Sequence, residues 1–590
     1  MQTALREHLE ALYGTECVAV LAPRLERLLA RYQGLKYGSP ADPDKLPLTQ
    51  RDALLITYGD QVREDGVSPL QTLASFCSER LRGVVSGIHI LPFYPYTSDD
   101  GFSVTDFYAV NPALGGWDDL RPMAASFDLM FDAVFNHMSA QSAWFKGFLA
   151  DEPAYRDFFV TVEGEPDLSQ VIRPRALPLL TEFQTAQGPR KVWTTFSADQ
   201  VDLNVSHPGV LLALMDALLF YVSQGARFIR LDAIAFLWKQ IGTTCLHLPQ
   251  THRIIQLMRA VLEEVAPGVM LITETNVPHR DNVSYFGDGT NEAHLVYNFA
   301  LPPLVLHSIA TGNAQKLTSW AQSIELPSDR VTFFNFLASH DGIGVNPARG
   351  ILSEAEIDAL VARTLAHGGF ISCRSTPDGS KVPYEMNIVY FDALNHPASA
   401  EPLETQVNRF MVSQAIMLSL AGLPGIYFHS LFGSRNARSD ALESGINRRI
   451  NRRKFSRCEL EEELDRGDSI RSQVFSRYRT LLAARQSQPA FSPAATQKIL
   501  NGDDRVFAVL RAVDGSGEWV LCLHNIAMES ISLEVTVQQS KAPRVWTEIL
   551  TQKTRSISEC GSACIQLSPY ETRWLSGRGV PPATIRCVGL

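Results

Sequence analysis

Phe228-Ile229-Arg230-Leu231-Asp232-Ala233 is a short apolar run that ends in an arginine and an aspartate, and the rest of the chain is interpreted outward from it. Side chains alternate along a strand, so Arg230 and Asp232 share one face. A carboxylate beside a permanent cation has a lowered pKa and stays ionised, as a nucleophile requires. An isolated R-x-D pair is more often a structural salt bridge at a strand end, so its meaning depends on the neighbouring runs.

Three other apolar runs also stop on polar residues. They are 129–137, which ends in Asn136-His137, 270–274, which ends in Glu274, and 334–341, which ends in His340-Asp341. Helix-length segments separate these runs, and this alternation is typical of an α/β fold of the (β/α)8 TIM-barrel type. The carboxyl ends of barrel strands meet at one mouth, so we expect Asp232, Glu274 and Asp341 to converge there. Three such carboxylates suit glycosyl transfer, with a nucleophile, an acid/base and a group that steadies an oxocarbenium-like transition state.

The other barrel strands are predicted at 53–60, 87–92, 295–299 and 425–428. The barrel therefore occupies 51–138 and 197–490, with an inserted domain B at 139–196 after the third strand and an insertion at 342–405 after the seventh. Insertions of this size at a barrel mouth usually shape substrate access. Two amphipathic helices predict an N-terminal helical extension at 1–50, and alternating apolar residues predict a C-terminal antiparallel β domain at 491–590.

Composition excludes several classes of function. The chain has 590 residues, 45% hydrophobic and 20% charged, which is an ordinary globular composition and long enough for a barrel plus a small domain. A formal net charge of −10 argues against a nucleic-acid partner, because phosphate backbones require basic surfaces. Nine cysteines without a C-x-x-C pair favour reduced thiols in a cytoplasm. The sequence has no signal-like segment and no apolar run of about 18 residues, so no membrane association is expected.

The strand-end motifs resemble those of the α-amylase superfamily of glycoside hydrolases, in the same order and over roughly residues 50 to 580. The matching segments are 132–137, 230–233, Glu274 and His340-Asp341. Within that superfamily, 97–104, 242–245 and 339–344 are similar to the sucrose phosphorylase group. Segments 136–142, 173–175 and 286–292 look most like the glucosylglycerate phosphorylase family. The resemblance implies a retaining glucoside phosphorylase, acting on 2-O-α-glucosylglycerate, without metal or organic cofactor.

The same resemblance assigns roles to individual residues. Asp232 would be the nucleophile, Glu274 the general acid/base and Asp341 the transition-state stabiliser. A glucosyl site would be formed by Asp99, Phe102, His137, Phe196, Gln200, Arg230, His340 and Arg452. For this chemistry Glu274 has to start protonated, so we expect neighbouring carboxylates to raise its pKa while Arg230 keeps Asp232 charged.

The acceptor side is predicted from charge. Phosphate and glycerate are both anions, and arginine is suited to bidentate oxyanion binding, so Arg173, Arg175 and Arg349 are candidate ligands. Solvated loop charges are an equal alternative for each of them. Phe236 stands where the sucrose phosphorylase group commonly has tyrosine, which removes one acceptor-side hydrogen bond. The strongly basic segment 447–454 is a pattern more typical of a solvated face than of a site.

Several functions stay open on the sequence alone. The first alternative is a phosphorylase for sucrose or glucosylglycerol, and the second is an α-glucoside hydrolase or transglucosidase. A non-catalytic sugar-binding relative on the same fold is a third, although the presence of all three carboxylates disfavours it. The expected partners are small molecules, a glucoside and inorganic phosphate, and a homodimer is left open.

Overall fold

A computed structural model describes residues 3–35, 42, 45–376, 380–537, 545–556 and 562–587. Eight parallel strands close into a barrel in chain order, with the first strand paired to the last. The strands are Leu54–Thr57 (β1), Gly87–Ile90 (β2), Asp128–Ala133 (β3), Ala226–Leu231 (β4), Met270–Thr273 (β5), Leu295–Tyr297 (β6), Thr332–Asn335 (β7) and Leu423–Tyr427 (β8). The predicted fold class, an α/β barrel followed by an antiparallel β domain, is confirmed.

Helices surround the barrel. They are Pro69–Arg80, Trp117–Ala124, Pro208–Ser223, Pro249–Val265, His279–Val283, Leu301–Thr311, Gln315–Gln322, Leu403–Ser419, Phe428–Leu431, Arg438–Ser444, Arg457–Asp465 and Ile470–Gln486. Three of the longer ones begin at a proline, which suits the first helical position because its missing N–H has no intrahelical partner there. Short 3₁₀ turns lie at Asp99–Gly101, Ile234–Phe236, Ser284–Phe286, Asn346–Ala348, Asn447–Asn451 and Pro489–Phe491.

Two strands stop furthest short of their predicted ends. β3 ends at Ala133 and β7 at Asn335, so the predictions that these strands continue to His137 and Asp341 are wrong. The loops after both strands are themselves buried, as at Phe135 and Leu337, and hydrophobicity therefore does not mark where the ladder stops. In β7 the last register pair joins Asn335 to Pro424, a residue without the N–H that would continue the ladder.

The two insertions form small sheets beside the barrel mouth. The first contains the helix Ala143–Leu149, the pair His137–Ser139 with Gln200–Asp202, and a sheet of Thr161–Val162, Gly188–Trp193 and Leu180–Thr185. The second contains the helices Glu354–Ala366 and Tyr390–Leu394 and a sheet in which Lys381–Asn387 lies between Ile343–Gly344 and Phe370–Ser375. A short pair, Val62–Arg63 with Phe455–Ser456, lies near the start and end of the barrel region.

The chain ends differ in structure. Helices Thr3–Tyr13 and Thr15–Arg31 pack on the barrel helices, and the Tyr13 hydroxyl donates to the carbonyl of Val205 at 2.7 Å. The C-terminal sheets comprise Thr496–Leu500, Val506–Ala512, Glu518–Asn525, Thr572–Arg578, Val545–Glu548 and Lys553–Ser556 in one, and Ser562–Leu567, Ile531–Thr536 and Thr584–Cys587 in the other. The region boundaries given from the sequence stay predictions. Within the described residues no helix is both long enough and apolar enough for a bilayer crossing.

Candidate active site

One cavity at the carboxyl ends of the barrel strands brings most of the predicted site residues together. Its lining includes the predicted Asp99, Phe102, His137, Arg175, Phe196, Gln200, Asp232, Phe236, Glu274, His340 and Asp341, together with Pro174, Ala233, Ala235, Thr275, Asn276, Val277, Tyr384, Glu385 and Arg448. Convergent polar groups among aromatic walls are what a small-molecule site requires. The cavity is therefore the candidate active site.

Arg230 holds two of the three carboxylates. Its Nη1 lies 2.6 Å from Oδ1 of Asp232, and its Nη2 lies 3.8 Å from Oε1 of Glu274. Asp132 also pairs with this guanidinium. The backbone turns sharply after β4, because Ala233 adopts a left-handed conformation with φ of 51°, and its N–H donates to Glu274 Oε2 at 3.2 Å. The turn thus fixes Asp232 and Glu274 side by side.

Burial raises the pKa of both Asp232 and Glu274, and Arg230 opposes the rise in each. The expectation that Arg230 keeps the pKa of Asp232 low is wrong, since desolvation outweighs the ion pair. The two carboxyls titrate as a pair that binds a proton more tightly than separate carboxyls would. Arg230 lies nearer to Asp232 than to Glu274, which favours placing that proton on Glu274.

Asp341 has the opposite electrostatic environment. Although burial opposes the shift, the guanidinium charges of Arg448 and Arg452 lower its pKa. Arg448 Nη1 lies 2.8 Å from Asp341 Oδ1, and Arg452 Nη2 lies 3.8 Å away. Asp341 is therefore the carboxylate of the three that stays ionised most firmly, as suits a group that faces developing positive charge.

A polar cluster around Asp99 also lines the cavity. Asp99 Oδ2 accepts from Arg175 Nη2 at 2.8 Å and from Gln200 Nε2 at 3.4 Å. Gln200 Nε2 also lies 3.2 Å from His137 Nε2, which contacts the carbonyl of Phe102 at 2.9 Å. Against the cost of burial, the charges of Arg175 and two further arginines lower the pKa of Asp99. These groups form a fixed set of donors and acceptors for sugar hydroxyls.

Aromatic rings close the cavity. Phe102 stacks on His340 with ring centroids 4.7 Å apart, and Phe196 meets Phe236 edge-on at 5.6 Å. Burial lowers the pKa of His340 to about 3, so its imidazole is neutral. Apolar faces around a polar cluster suit a pyranose ring, whose hydroxyls and C–H groups lie on different surfaces.

A buried ion pair supports three walls of the cavity from behind. Lys239 Nζ lies 2.6 Å from Asp202 Oδ2, and it donates to Asn136 Oδ1 at 2.7 Å and to the carbonyl of Phe236 at 2.6 Å. Asp202 in turn accepts from the N–H and hydroxyl of Thr195, the residue before Phe196. No local sequence pattern indicates this network, because Lys239 lies in an apolar loop with no charged neighbour.

Four predicted arginines lie outside the cavity lining: Arg230, which holds the carboxylates as described above, and Arg173, Arg349 and Arg452. Arg173 Nη2 donates to the carbonyl of Leu177, and Arg349 pairs with Glu354. Arg452 is buried behind the cavity, where Nη1 lies 2.8 Å from Asp100 Oδ2 and Nε donates to the carbonyl of His340 at 2.8 Å. Of the predicted anion ligands, only Arg175 lines the cavity.

Sequence reasoning missed two charged residues that line it. Arg448 belongs to the basic segment interpreted as a solvated face, and that interpretation is wrong for it because its side chain reaches Asp341 and Glu385. Glu385 is 2% exposed and lies on the strand Lys381–Asn387 of the second insertion. The excess of arginine in 447–454 was the available signal, but no local pattern links it to a glutamate 63 residues earlier.

Comparison with known proteins agrees with this geometry. Residues 83–344 match the family described as "Alpha amylase, catalytic domain". The chain is 54% identical over 527 residues to the glucosylglycerate phosphorylase of Allomeiothermus silvanus, covering 89% of this chain and 93% of that protein. The chain belongs to the glucosylglycerate phosphorylase family of the α-amylase superfamily. The protein is an enzyme of the glucosyl-transferring kind found in that superfamily.

Two further relatives set the range of similarity. The glucosylglycerate phosphorylase of Spirochaeta thermophila is 49% identical over 582 residues, 97% of this chain and 98% of that protein. The sucrose phosphorylase of Agrobacterium vitis is 31% identical over 514 residues, 83% of this chain and 95% of that protein. The family member described here therefore lies much nearer to the first group of phosphorylases than to the second.

Proposed function

We propose that this enzyme catalyses the reversible phosphorolysis of 2-O-α-glucosylglycerate to α-glucose 1-phosphate and glycerate, with retention of configuration. The observation that carries the proposal is that one cavity holds Asp232, Glu274 and Asp341 together with two arginines, Arg175 and Arg448. The carboxylates suit glucosyl transfer, and the arginines suit acceptors that are oxyanions. The higher identity to glucosylglycerate phosphorylases than to a sucrose phosphorylase supports glycerate as the natural acceptor.

In the first half-reaction Asp232 attacks the anomeric carbon while Glu274 protonates the departing glycerate oxygen. The C–O bond to glycerate breaks, and a covalent β-glucosyl ester forms on Asp232. Burial raises the pKa of Glu274, which favours its protonated form, while the closer contact of Arg230 favours the ionised form of Asp232. Asp341, which stays ionised, faces the positive charge that develops at the anomeric centre.

In the second half-reaction a phosphate oxygen attacks the anomeric carbon and Glu274 accepts the phosphate proton. The bond to Asp232 breaks, the carboxylate is regenerated, and α-glucose 1-phosphate leaves. Asp99, His137 and Gln200 hold the sugar hydroxyls during both steps, with Phe102 and Phe196 as apolar walls. No step requires a metal or organic cofactor.

Sucrose or glucosylglycerol phosphorolysis is the second candidate, since the glucose side would serve any α-glucoside. Phe236 offers no hydroxyl on the acceptor wall, where a neutral polyol would benefit from one.

We also propose a cytoplasmic enzyme, supported by eight free cysteines in the described part of the chain. A homodimer stays a prediction, which sedimentation or light scattering would test.

The test of function is phosphate-dependent release of glucose 1-phosphate from a panel of glucosylglycerate, sucrose and glucosylglycerol. We expect release from glucosylglycerate at a kcat/KM far above that for the others. A preference for sucrose would assign the second candidate, and free glucose released independently of phosphate would mean a hydrolase. Asp232→Ala is the control for the mechanism and should abolish turnover while leaving the fold.

A matched pair of arginines tests the anion site. Arg175→Ala should raise the KM for phosphate much more than it slows hydrolysis of the same donor. Arg173→Ala, in the same loop but outside the cavity lining, should leave the KM for phosphate unchanged. Equal effects of Arg175→Ala on phosphorolysis and hydrolysis would remove it from the anion site.

A further inference from the structure

Arg448 is held by two carboxylates at once. Its Nη2 lies 2.6 Å from Glu385 Oε1 and its Nε lies 3.1 Å from Glu385 Oε2, so the pair is bidentate. Its Nη1 lies 2.8 Å from Asp341 Oδ1. All three nitrogens of the guanidinium therefore carry an anionic partner, and both partners line the candidate active site.

The Nε and Nη2 edge of arginine is the surface that recognises carboxylate and phosphate through two parallel hydrogen bonds. In this enzyme Arg448 lines the cavity in which the oxyanion acceptor is proposed to bind, and the Glu385 carboxylate covers that edge. Two anions cannot bind the same edge together, because each requires both donors and like charges at contact distance repel.

We propose that the Glu385 carboxylate is an internal substitute for the acceptor anion: it occupies the Nε and Nη2 edge of Arg448 in the free enzyme and is displaced when the phosphate or glycerate oxyanion binds there. The inference rests on the proposed function for the identity of the two anions. Glu385 is thus a specificity-determining residue, because only a ligand with two suitably placed anionic oxygens replaces it in full.

The surrounding structure limits the exchange to a side chain. The strand Lys381–Asn387 is the middle strand of its sheet, and Glu385 is in register with Gly344 on one side and Ser372 on the other. Gly342, the residue after Asp341, lets this strand approach closely, because a Cβ there would lie 3.0 Å from the Cβ of Glu385. The backbone is fixed from both sides, so only the rotamer of Glu385 has to change.

Displacement of Glu385 leaves the contact between Arg448 and Asp341 in place. In the free enzyme Arg448 keeps its Nη1 on Asp341 while the opposite edge is neutralised by Glu385. An acceptor anion that takes over the same edge leaves the Nη1 contact in place, so the electrostatic environment of Asp341 is the same in both half-reactions. The Glu385 carboxylate thereby keeps Arg448 aligned when no acceptor is bound.

The first experiment measures anion binding to the free enzyme, where no turnover is needed. Sulfate, a non-reacting mimic of phosphate, is titrated calorimetrically into wild type and Glu385→Gln. The amide keeps the size of the side chain but loses the charge, so we expect sulfate to bind about tenfold more tightly, since a charge-assisted competitor becomes a neutral one. Unchanged or weaker sulfate binding would overturn the proposal, because a residue that merely positions Arg448 would weaken binding when altered.

Controls separate this effect from a general change of charge. Glu354→Gln removes the partner of Arg349 in the same insertion but outside the cavity lining, and it should leave sulfate affinity unchanged. Arg448→Gln should abolish the gain in the Glu385→Gln background. If Glu385→Gln does not fold, Glu385→Asp carries the test, since its shorter stem withdraws the carboxylate from the two nitrogens and should give a smaller gain of the same sign.

Steady-state kinetics distinguish the two anions. Glu385→Gln should lower the KM for phosphate in phosphorolysis, the KM for glycerate in the reverse direction, or both, and the affected substrate is the one that uses the Arg448 edge. A KM that rises for both anions would overturn the proposal. Failure of the proposed function would instead appear as absent phosphorolysis of glucosylglycerate in wild type, with the sulfate measurement still decisive.

Discussion

Replacing Lys239 by methionine should both destabilise the enzyme and impair its substrate site. The Lys239 side chain is 4% exposed and that of Asp202 is fully buried, with 2.6 Å between Nζ and Oδ2. Methionine keeps the apolar stem but leaves the Asp202 charge without its ion-pair partner. Removing one member of a buried pair typically costs about 3–5 kcal/mol.

The structure places the cost of Lys239→Met at the lower end of that range. Asp202 keeps hydrogen bonds from the Thr195 N–H at 2.9 Å, the Thr195 hydroxyl at 2.6 Å and Asn136 Nδ2 at 3.2 Å, which partly stabilise the charge. We therefore expect Lys239→Met to lower the free energy of unfolding by about 3 kcal/mol. Adding Asp202→Asn removes the unpaired charge, and the double variant should recover part of the loss despite having one more substitution.

Denaturant unfolding followed by tryptophan fluorescence measures the free energy of unfolding, and steady-state kinetics measure kcat/KM for the glucosyl donor. Loss of the Lys239 contacts frees the Phe236 carbonyl and Asn136, beside His137, so kcat/KM for the glucosyl donor should fall roughly 10- to 100-fold. A double variant no more stable than Lys239→Met would show that Lys239 does not act by compensating Asp202. Unchanged kcat/KM in the folded single variant would refute its role in positioning the walls.

Three further changes test other parts of the site. Glu274 has to donate a proton, and burial raises its pKa and that of Asp232. We therefore expect kcat/KM for the donor to fall as the pH rises through the pKa of this pair. A pH profile between about pH 5 and 10 without an alkaline decline would contradict the assignment. Phe236→Tyr adds a hydroxyl to the acceptor side of the cavity and should raise kcat/KM for sucrose relative to glucosylglycerate by roughly three- to tenfold. A fall in that ratio would argue against contact between residue 236 and the acceptor. Gly342→Ala puts a Cβ 3.0 Å from three atoms of the strand Lys381–Asn387 and should lower both stability and kcat. Gly467→Ala, whose added Cβ has nothing within 4 Å, is the control and should lower neither. Equal melting temperatures and equal kcat values for the two variants would refute the close approach.

The sequence was sufficient for the barrel because each strand is a buried run bounded by polar residues. Parallel strands buried on both faces lack the alternation of half-buried ones, so their apolar content marks them. The same rule failed at the ends of β3 and β7, where Phe135 and Leu337 are buried without being in a strand. Hydrophobicity reports burial, and hydrogen-bond pairing defines a strand.

The glucose side could be predicted for a related reason. Asp232 and Glu274 follow directly from strand ends, so their convergence is a property of barrel geometry. The pKa of Asp232 could not be read in the same way, because a neighbouring cation was visible in the sequence and the depth of burial was not. Desolvation proved to be the larger effect there.

The acceptor side has a different origin. Arg175 comes from the first insertion, Glu385 from the second, and Arg448 from the segment after β8, so none of the three is placed by the barrel itself. Their contacts join residues far apart in the chain, and loop charges of this kind cannot be told from solvated ones until a partner is seen. If the insertions determine the acceptor while strand ends determine the glucosyl chemistry, Glu385→Gln should change which anion is used and leave the formation of the glucosyl ester on Asp232 comparatively intact, whereas substitution of Arg448, which also contacts Asp341, should impair both.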